Sequence, residues 1–166
     1  MKNLVAIPVL ALALMLQTAV ISRITLLSGT ADLVLLVLVA WSLQEQVESA
    51  WQWGAMGGVL VGLVSGVPPI APVIGYLLAV GLARFVVRQI WQSPMVALMS
   101  VTFFATLIYN LVTYLVLVVL GTPLGFSDVL ALIILPSVFL NFLLAIPVHS
   151  LIRDLALWVY PLEELL

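Results

Sequence analysis

Between Lys2 and Glu164 the charges fall in small knots, and the chain between the knots is apolar for about 17–25 residues, the length of a bilayer-crossing helix. The knots are Lys2, Arg23, Asp32, Glu45 with Glu48, Arg84 with Arg88, Asp128, Arg153 with Asp154, and Glu163 with Glu164. A water-soluble chain has to cover its outside with charge, about a quarter of its residues. Here only 7% of 166 residues are charged and 65% are hydrophobic, so a hydrocarbon solvent is the consistent one. The polar–apolar alternation that β-barrel strands require is absent, which leaves an all-α integral membrane protein.

Six spans are expected, with five as the alternative count, in a single polytopic domain over residues 1–166. Segment one covers residues 4–21. Its Ala-x-Ala, Ala11 and Ala13, lies inside the apolar run rather than after it, so the segment reads as a retained span and not a cleaved signal. Segment two, residues 32–43, is short. Thr30 and Asp32 are helix-start residues, and a carboxylate there suits the positive end of the helix dipole. Twelve residues reach only about 18 Å, so this segment must thin the bilayer or borrow Ile24–Leu27, with Ser28–Gly29–Thr30 as a break.

Segment three, residues 50–67, opens with Trp51 and Trp53 as expected interfacial anchors and stops at Pro68–Pro69. Segment four covers 72–90. Segment five, 94–120, starts at Ser93–Pro94 and ends at Gly121 with Pro123 beyond, a start and a stop with defined chemistry. Segment six covers 128–147, followed by an amphipathic tail, 148–166, with Trp158 and Tyr160. With the N-terminus inside, Lys2, Arg84, Arg88 and Arg153 share the cytoplasmic side and Arg23 alone lies outside. That satisfies the positive-inside rule and puts both termini in the cytoplasm.

Segment three carries the sharpest pattern: Ala50, Gly54, Gly58, Gly62 and Gly66 recur every fourth residue, with Gly57 beside them. Lipid gives helices little reason to bury apolar surface on one another, so they associate where small residues let backbones approach. Segment four repeats the device with Gly75, Ala79 and Ala83. Two uses follow: packing of segments three and four together, or reception of another protein's transmembrane helix.

Polar residues inside the spans come next. Asn110, beside Tyr109, sits mid-segment five with Thr102, Thr106 and Thr113 at helical spacings, and Asn141 sits mid-segment six. Such amides hydrogen-bond across helices or contact a substrate. Arg84 and Arg88 share a helix face, suited to snorkelling toward cytoplasmic headgroups or to meeting a partner protein. His149 reads as an interfacial polar residue. With no cysteine and a lone histidine, no metal site, cofactor site or catalytic residue is expected. No nucleophile–base pair or phosphate-binding loop appears, which points away from an enzyme, and a net charge of −2 gives no reason to expect nucleic acid.

Taken in order, these blocks resemble the MreD family, the multi-span subunit of the bacterial cell-elongation (rod) complex. Gln17–Thr18 looks like the family's opening "LQ(S/T)". Thr30-Ala31-Asp32-Leu33-Val34-Leu35-Leu36 with Ala40–Trp41 is similar to its "PDLLLLL" and following "AW". Trp53-Gly54-Ala55-Met56-Gly57-Gly58 through Leu63-Val64-Ser65-Gly66-Val67-Pro68, then Gly75–Tyr76, resembles its central block. Asn141-Phe142-Leu143-Leu144-Ala145-Ile146-Pro147 and Trp158-Val159-Tyr160-Pro161 resemble its ending. Two positions depart: Gly62 stands where members often have aspartate, and Ala31 where proline is common. Any role of that aspartate therefore does not carry over.

The resemblance implies a non-catalytic scaffold in the bacterial inner membrane that binds the transmembrane helix of MreC and works with the MreB filament, RodA and a penicillin-binding transpeptidase. It also implies a helical arrangement similar to the substrate-binding subunits of ECF vitamin transporters. The alternative function is accordingly a small-molecule importer subunit, with a pocket near Asn110, Tyr114 and Asn141.

Overall fold

The computed structural model describes residues 5–89 and 93–160, and the expected cytoplasmic Lys2 and the acidic end at Glu163 and Glu164 lie outside that range. Among the described residues six helices build an all-α membrane protein: α1 (Ala6–Ala19), α2 (Leu33–Ser42), α3 (Ala50–Val64), α4 (Ile70–Gln89), α5 (Pro94–Val119) and α6 (Phe126–Val159). Among the described residues four helical stretches are long and apolar enough to cross a membrane: Ala6–Arg23, Ile70–Gln89, Pro94–Val119 and Phe126–Val159. The helices α2 and α3 are shorter.

The shortest helix is the centre of the molecule. Every residue of α2, from Leu33 to Ser42, is buried, and α1, α3, α4, α5 and α6 all pack on it. Ten residues give about 15 Å of helix, half of what a lipid-facing span needs. Enclosed by protein, α2 has no such need, because its ends are satisfied by side chains rather than by headgroups. The mismatch expected for segment two is thus resolved by burial. Nor does the segment borrow helix from Ile24–Leu27. Thr25–Leu26 instead pairs antiparallel with Gly29–Thr30 in a small hairpin whose turn residue Leu27 has a φ of 56°.

The hairpin is pinned to α6. Pro136 has no N–H to offer the Leu132 carbonyl four residues before it, and that carbonyl accepts the Ser28 N–H at 3.0 Å. Leu130–Ile134 is wound as a π-helical stretch at this point. Gly29 lies so close that a Cβ on it would stand 2.7 Å from the Ile133 carbonyl oxygen and from Pro136 Cβ, so this is a position where only glycine fits.

Several expected boundaries move. Segment six neither starts at 128 nor ends at 147: α6 runs on through Pro147 to Val159, taking in most of the expected tail. One missing N–H costs a single ladder bond, and packing of Ala145, Ile152, Ala156 and Val159 into the core carries the helix past it. Segment three closes at Val64, not 67, and α4 starts at Ile70 with Pro72 in its first turn, where a proline costs no bond. At the end of α5, Gly121 adopts a φ of +85°, the left-handed stop its sequence announces. Trp51 is exposed as an interfacial anchor should be, but Trp53 is fully buried and stacks on Trp41 at 4.0 Å between ring centroids.

Candidate functional site

Polar side chains converge where α2 begins. Asp32 caps the helix: its Oδ1 accepts the Leu35 N–H at 2.9 Å, taking up an N–H that the helix cannot bond itself. The other carboxylate oxygen accepts the Tyr76 hydroxyl at 2.8 Å. The Asp32 N–H donates to Asn141 Oδ1 at 2.8 Å, and Asn141 Nδ2 donates to Thr106 Oγ1 at 2.9 Å. Thr106 in turn donates to the Thr102 carbonyl at 2.7 Å. The Val34 N–H donates to Gln17 Oε1 at 3.1 Å. Side chains from α1, α4, α5 and α6 therefore meet at one turn of α2. Asp32, Tyr76, Thr106 and Asn141 are all buried.

Position in each helix explains the convergence. Tyr76 follows Gly75, whose bare backbone lets α4 close on α5: a Cβ at Gly75 would stand 2.7 Å from Tyr109 Cδ2. The Tyr76 ring lies flat on Tyr109, 4.9 Å between centroids and 18° between planes, which aims its hydroxyl at Asp32. At the opposite end of α2, Arg84 Nη1 donates to the Gln44 carbonyl at 3.1 Å and to the Ser42 carbonyl at 3.4 Å. One helix, α4, thus holds both ends of α2, with a phenol at the carboxylate-capped start and a guanidinium at the carbonyl-rich finish. Both charges suit the dipole of the buried helix.

The residues singled out from sequence fare differently. Asn141 makes cross-helix bonds on both sides of its amide. Asn110 does not: its Nδ2 donates to the Thr106 carbonyl of its own helix at 2.9 Å, because the outer half of α5 has no buried face to turn it toward. Tyr109 is brought to the site as the platform for Tyr76. Arg84 reaches inward to the α2–α3 connection instead of snorkelling, whereas Arg88 is exposed. Arg153 is exposed and pairs with Asp154 at 3.6 Å. A recess of about 320 Å³ is lined by Gln44, Glu45, His149 and Arg153 among others, so Arg84 and Arg153 stand at the same end of the molecule.

The glycine row is filled from within the chain. A Cβ on Gly54 would meet Val80 Cγ2 at 3.0 Å, one on Gly58 would meet Val73 Cα at 2.5 Å, and one on Gly62 would meet Pro69 Cα at 2.8 Å. All three notches receive α4 or the residue that leads into it, so they are not an open groove for a partner helix. Gly66 lies beyond the end of α3 with nothing within 4 Å of a Cβ, and it is no part of the notch. Gly57 turns the other way and admits Leu38 and Val34 of α2.

The central residue of the junction is Asp32. As a helix start its position was legible, and a carboxylate at the head of an unbroken apolar run is by itself a signal of an intramembrane polar site. Its partner Tyr76, 44 residues on, carries no local signal. Chemically, both Asp32 oxygens are engaged by donors of the chain, so the junction as built binds helices together. Among the described residues, no group of three or more His, Asp or Glu side chains is placed to hold a metal ion.

No family model matches the chain, and neither a curated protein nor a solved structure does.

Proposed function

We propose that this protein is a non-catalytic scaffold of the MreD type: a multi-pass subunit of the bacterial inner membrane, both termini cytoplasmic, that binds the transmembrane helix of MreC. Through it the chain acts with the MreB filament, RodA and a penicillin-binding transpeptidase in peptidoglycan synthesis and cell-shape control. The observation that carries this reading is where the resembling blocks meet. Gln17, Asp32, Tyr76 and Asn141 come from four separate blocks, and all four join at the head of α2. Residues that recur in a family's motifs and assemble at one junction are doing one structural job, here the anchoring of a buried central helix.

In this reading the chain performs no chemistry. The partner surface is a lipid-exposed one, since Gly54, Gly58 and Gly62 are already occupied by the chain's own α4 neighbourhood. The importer alternative is the weaker, because Asn141, one of the three residues of its suggested pocket, is fully buried and bonded to Asp32 and Thr106.

The test is purification of the tagged protein from its native membranes, with identification of what accompanies it. A single-span protein with an outward coiled coil, together with loss of rod shape on depletion, is the expected outcome. Recovery of an ATPase pair with a tightly held small molecule, and unchanged cell shape, would replace this reading with the importer.

A further inference from the structure

The recess at the Arg84 end of the molecule takes no part in the junction at the head of α2. Its volume of about 320 Å³ is at the small end of ligand sites, which run from about 300 to 1,000 Å³. Val87 of α4, Ala97 of α5, and His149 and Arg153 of α6 line it, together with residues 43–46 of the α2–α3 turn. The described lining carries one acid, Glu45, and one base, Arg153, so with His149 neutral its formal charge is zero.

Neither charge is used up by the chain. Arg153 meets its neighbour Asp154 at 3.6 Å, with both side chains more than half exposed, and so solvated a pair does little to hold the guanidinium. Among the described residues Glu45 has no cationic partner. His149 is half-buried, and its Nδ1 is sealed from water with no hydrogen-bond partner among the described residues. Buried nitrogens are rarely left unbonded, so at this wall the chain does not complete its own polar bonding. The other ring nitrogen, Nε2, is the one through which the ring can bond a ligand.

The surroundings are those of a membrane boundary. The 34-residue run Phe126–Val159 is about 51 Å long, well beyond a hydrocarbon core of about 30 Å, and Arg153 stands in its last two turns. From His149 into the span, Ile146 and Leu143 are exposed one and two turns away, and on α5 Met95 and Val96 are exposed beside Pro94. A small polar hollow thus opens onto an apolar flank, which suits a headgroup with its acyl chains.

We propose that this recess binds the headgroup of a phospholipid that carries both a phosphate and a primary ammonium, the phosphatidylethanolamine type. Arg153 and His149 Nε2 donate to the phosphate, and the Glu45 carboxylate accepts from the ammonium. Glu45 disfavours a purely anionic headgroup, and a choline headgroup has no N–H to give it. The apolar flank favours the lipid over free phosphoethanolamine. This inference needs only a chain that spans a membrane and is independent of any place in the elongation machinery.

The chain has no cysteine, so a fluorophore can be placed singly on Leu143→Cys, below the recess, or on Leu12→Cys of α1, which does not line it; both positions are exposed. Each labelled full-length protein is reconstituted in equal parts of phosphatidylethanolamine, phosphatidylglycerol and phosphatidylcholine with the same acyl chains, brominating one species at a time. Quenching at Leu143→Cys should report enrichment of phosphatidylethanolamine of about threefold, the scale of one partly exposed ion pair, and quenching at Leu12→Cys none. Adding Glu45→Gln or Arg153→Gln to the Leu143→Cys protein should remove the enrichment, while Arg88→Gln, outside the described lining, should leave it. Equal quenching by the three lipids, or preference for either of the other two, overturns the proposal. So does the same enrichment at Leu12→Cys, or enrichment that survives both recess substitutions. Relief of quenching by millimolar phosphoethanolamine overturns the lipid assignment, since the recess would then take the soluble compound. Unchanged far-ultraviolet circular dichroism and size-exclusion elution of each variant show that the fold is in place.

Discussion

The Tyr76 hydroxyl lies 2.8 Å from the Asp32 carboxylate, tying the middle of α4 to the first turn of a helix buried on every side. Arg84, about 12 Å further along the same helix, takes the carbonyls at the other end of α2. The central helix is held as a rung between two points of one upright, and this arrangement can be probed one contact at a time.

Removing the hydroxyl leaves a buried carboxylate oxygen without its donor. Tyr76→Phe is expected to destabilise the protein by about 1–3 kcal/mol, the usual penalty for an orphaned buried polar group. Denaturant unfolding in detergent micelles measures it. A double-mutant cycle with Asp32→Asn should show that most of that loss is coupling between the two; independent effects would disprove the link.

Asn141 and Asn110 look alike in sequence and should behave differently. Asn141→Leu breaks bonds to both Asp32 and Thr106 and is expected to cost about 1–2 kcal/mol, while Asn110→Leu stays within about 0.5 kcal/mol of the parent. The same unfolding assay ranks them. A reversed order would mean that the cross-helix bonds of Asn141 contribute nothing.

The glycines give a graded series. Gly58→Ala places a methyl group 2.5 Å from Val73 Cα on backbone that cannot swing aside, so α3 and α4 must separate. A loss of about 1–3 kcal/mol follows from overpacking, whereas Gly66→Ala, with open space around it, should change stability by under about 0.5 kcal/mol. Thermal shift in micelles separates them. A Gly58→Ala protein as stable as the parent would show that α4 does not fill the notch.

Sidedness follows from the shared end of Arg84 and Arg153. Single cysteines at Arg88→Cys and Arg153→Cys should react with a membrane-impermeant maleimide from one face of sealed vesicles, and Arg23→Cys from the other. Labelling of Arg88→Cys and Arg153→Cys from opposite faces would break the six-helix layout.

Local chemistry makes much of this readable in the sequence. Asp32 as a helix cap, Pro94 as a helix start and Gly121 as a helix stop each depend on a few neighbouring residues, and each stands where its residue type requires. The spacing of charge marked out apolar rods and separated Arg84 and Arg153 from Arg23 along the chain. Those properties are written along the chain, because capping, backbone freedom and desolvation of charge act over one or two turns.

What faces what was decided only by the tertiary structure. In lipid an apolar side chain is at home on either side of a helix, so hydropathy cannot tell a face that meets protein from one that meets acyl chains. That is why Trp53 turns inward and Trp51 outward although both sit at one helix start, and why Asn141 reaches two neighbours while Asn110 reaches its own backbone. It is also why the shortest apolar run became the core: its ends found a carboxylate, a phenol and a guanidinium from distant parts of the chain, and a helix so satisfied no longer has to reach either surface of the membrane.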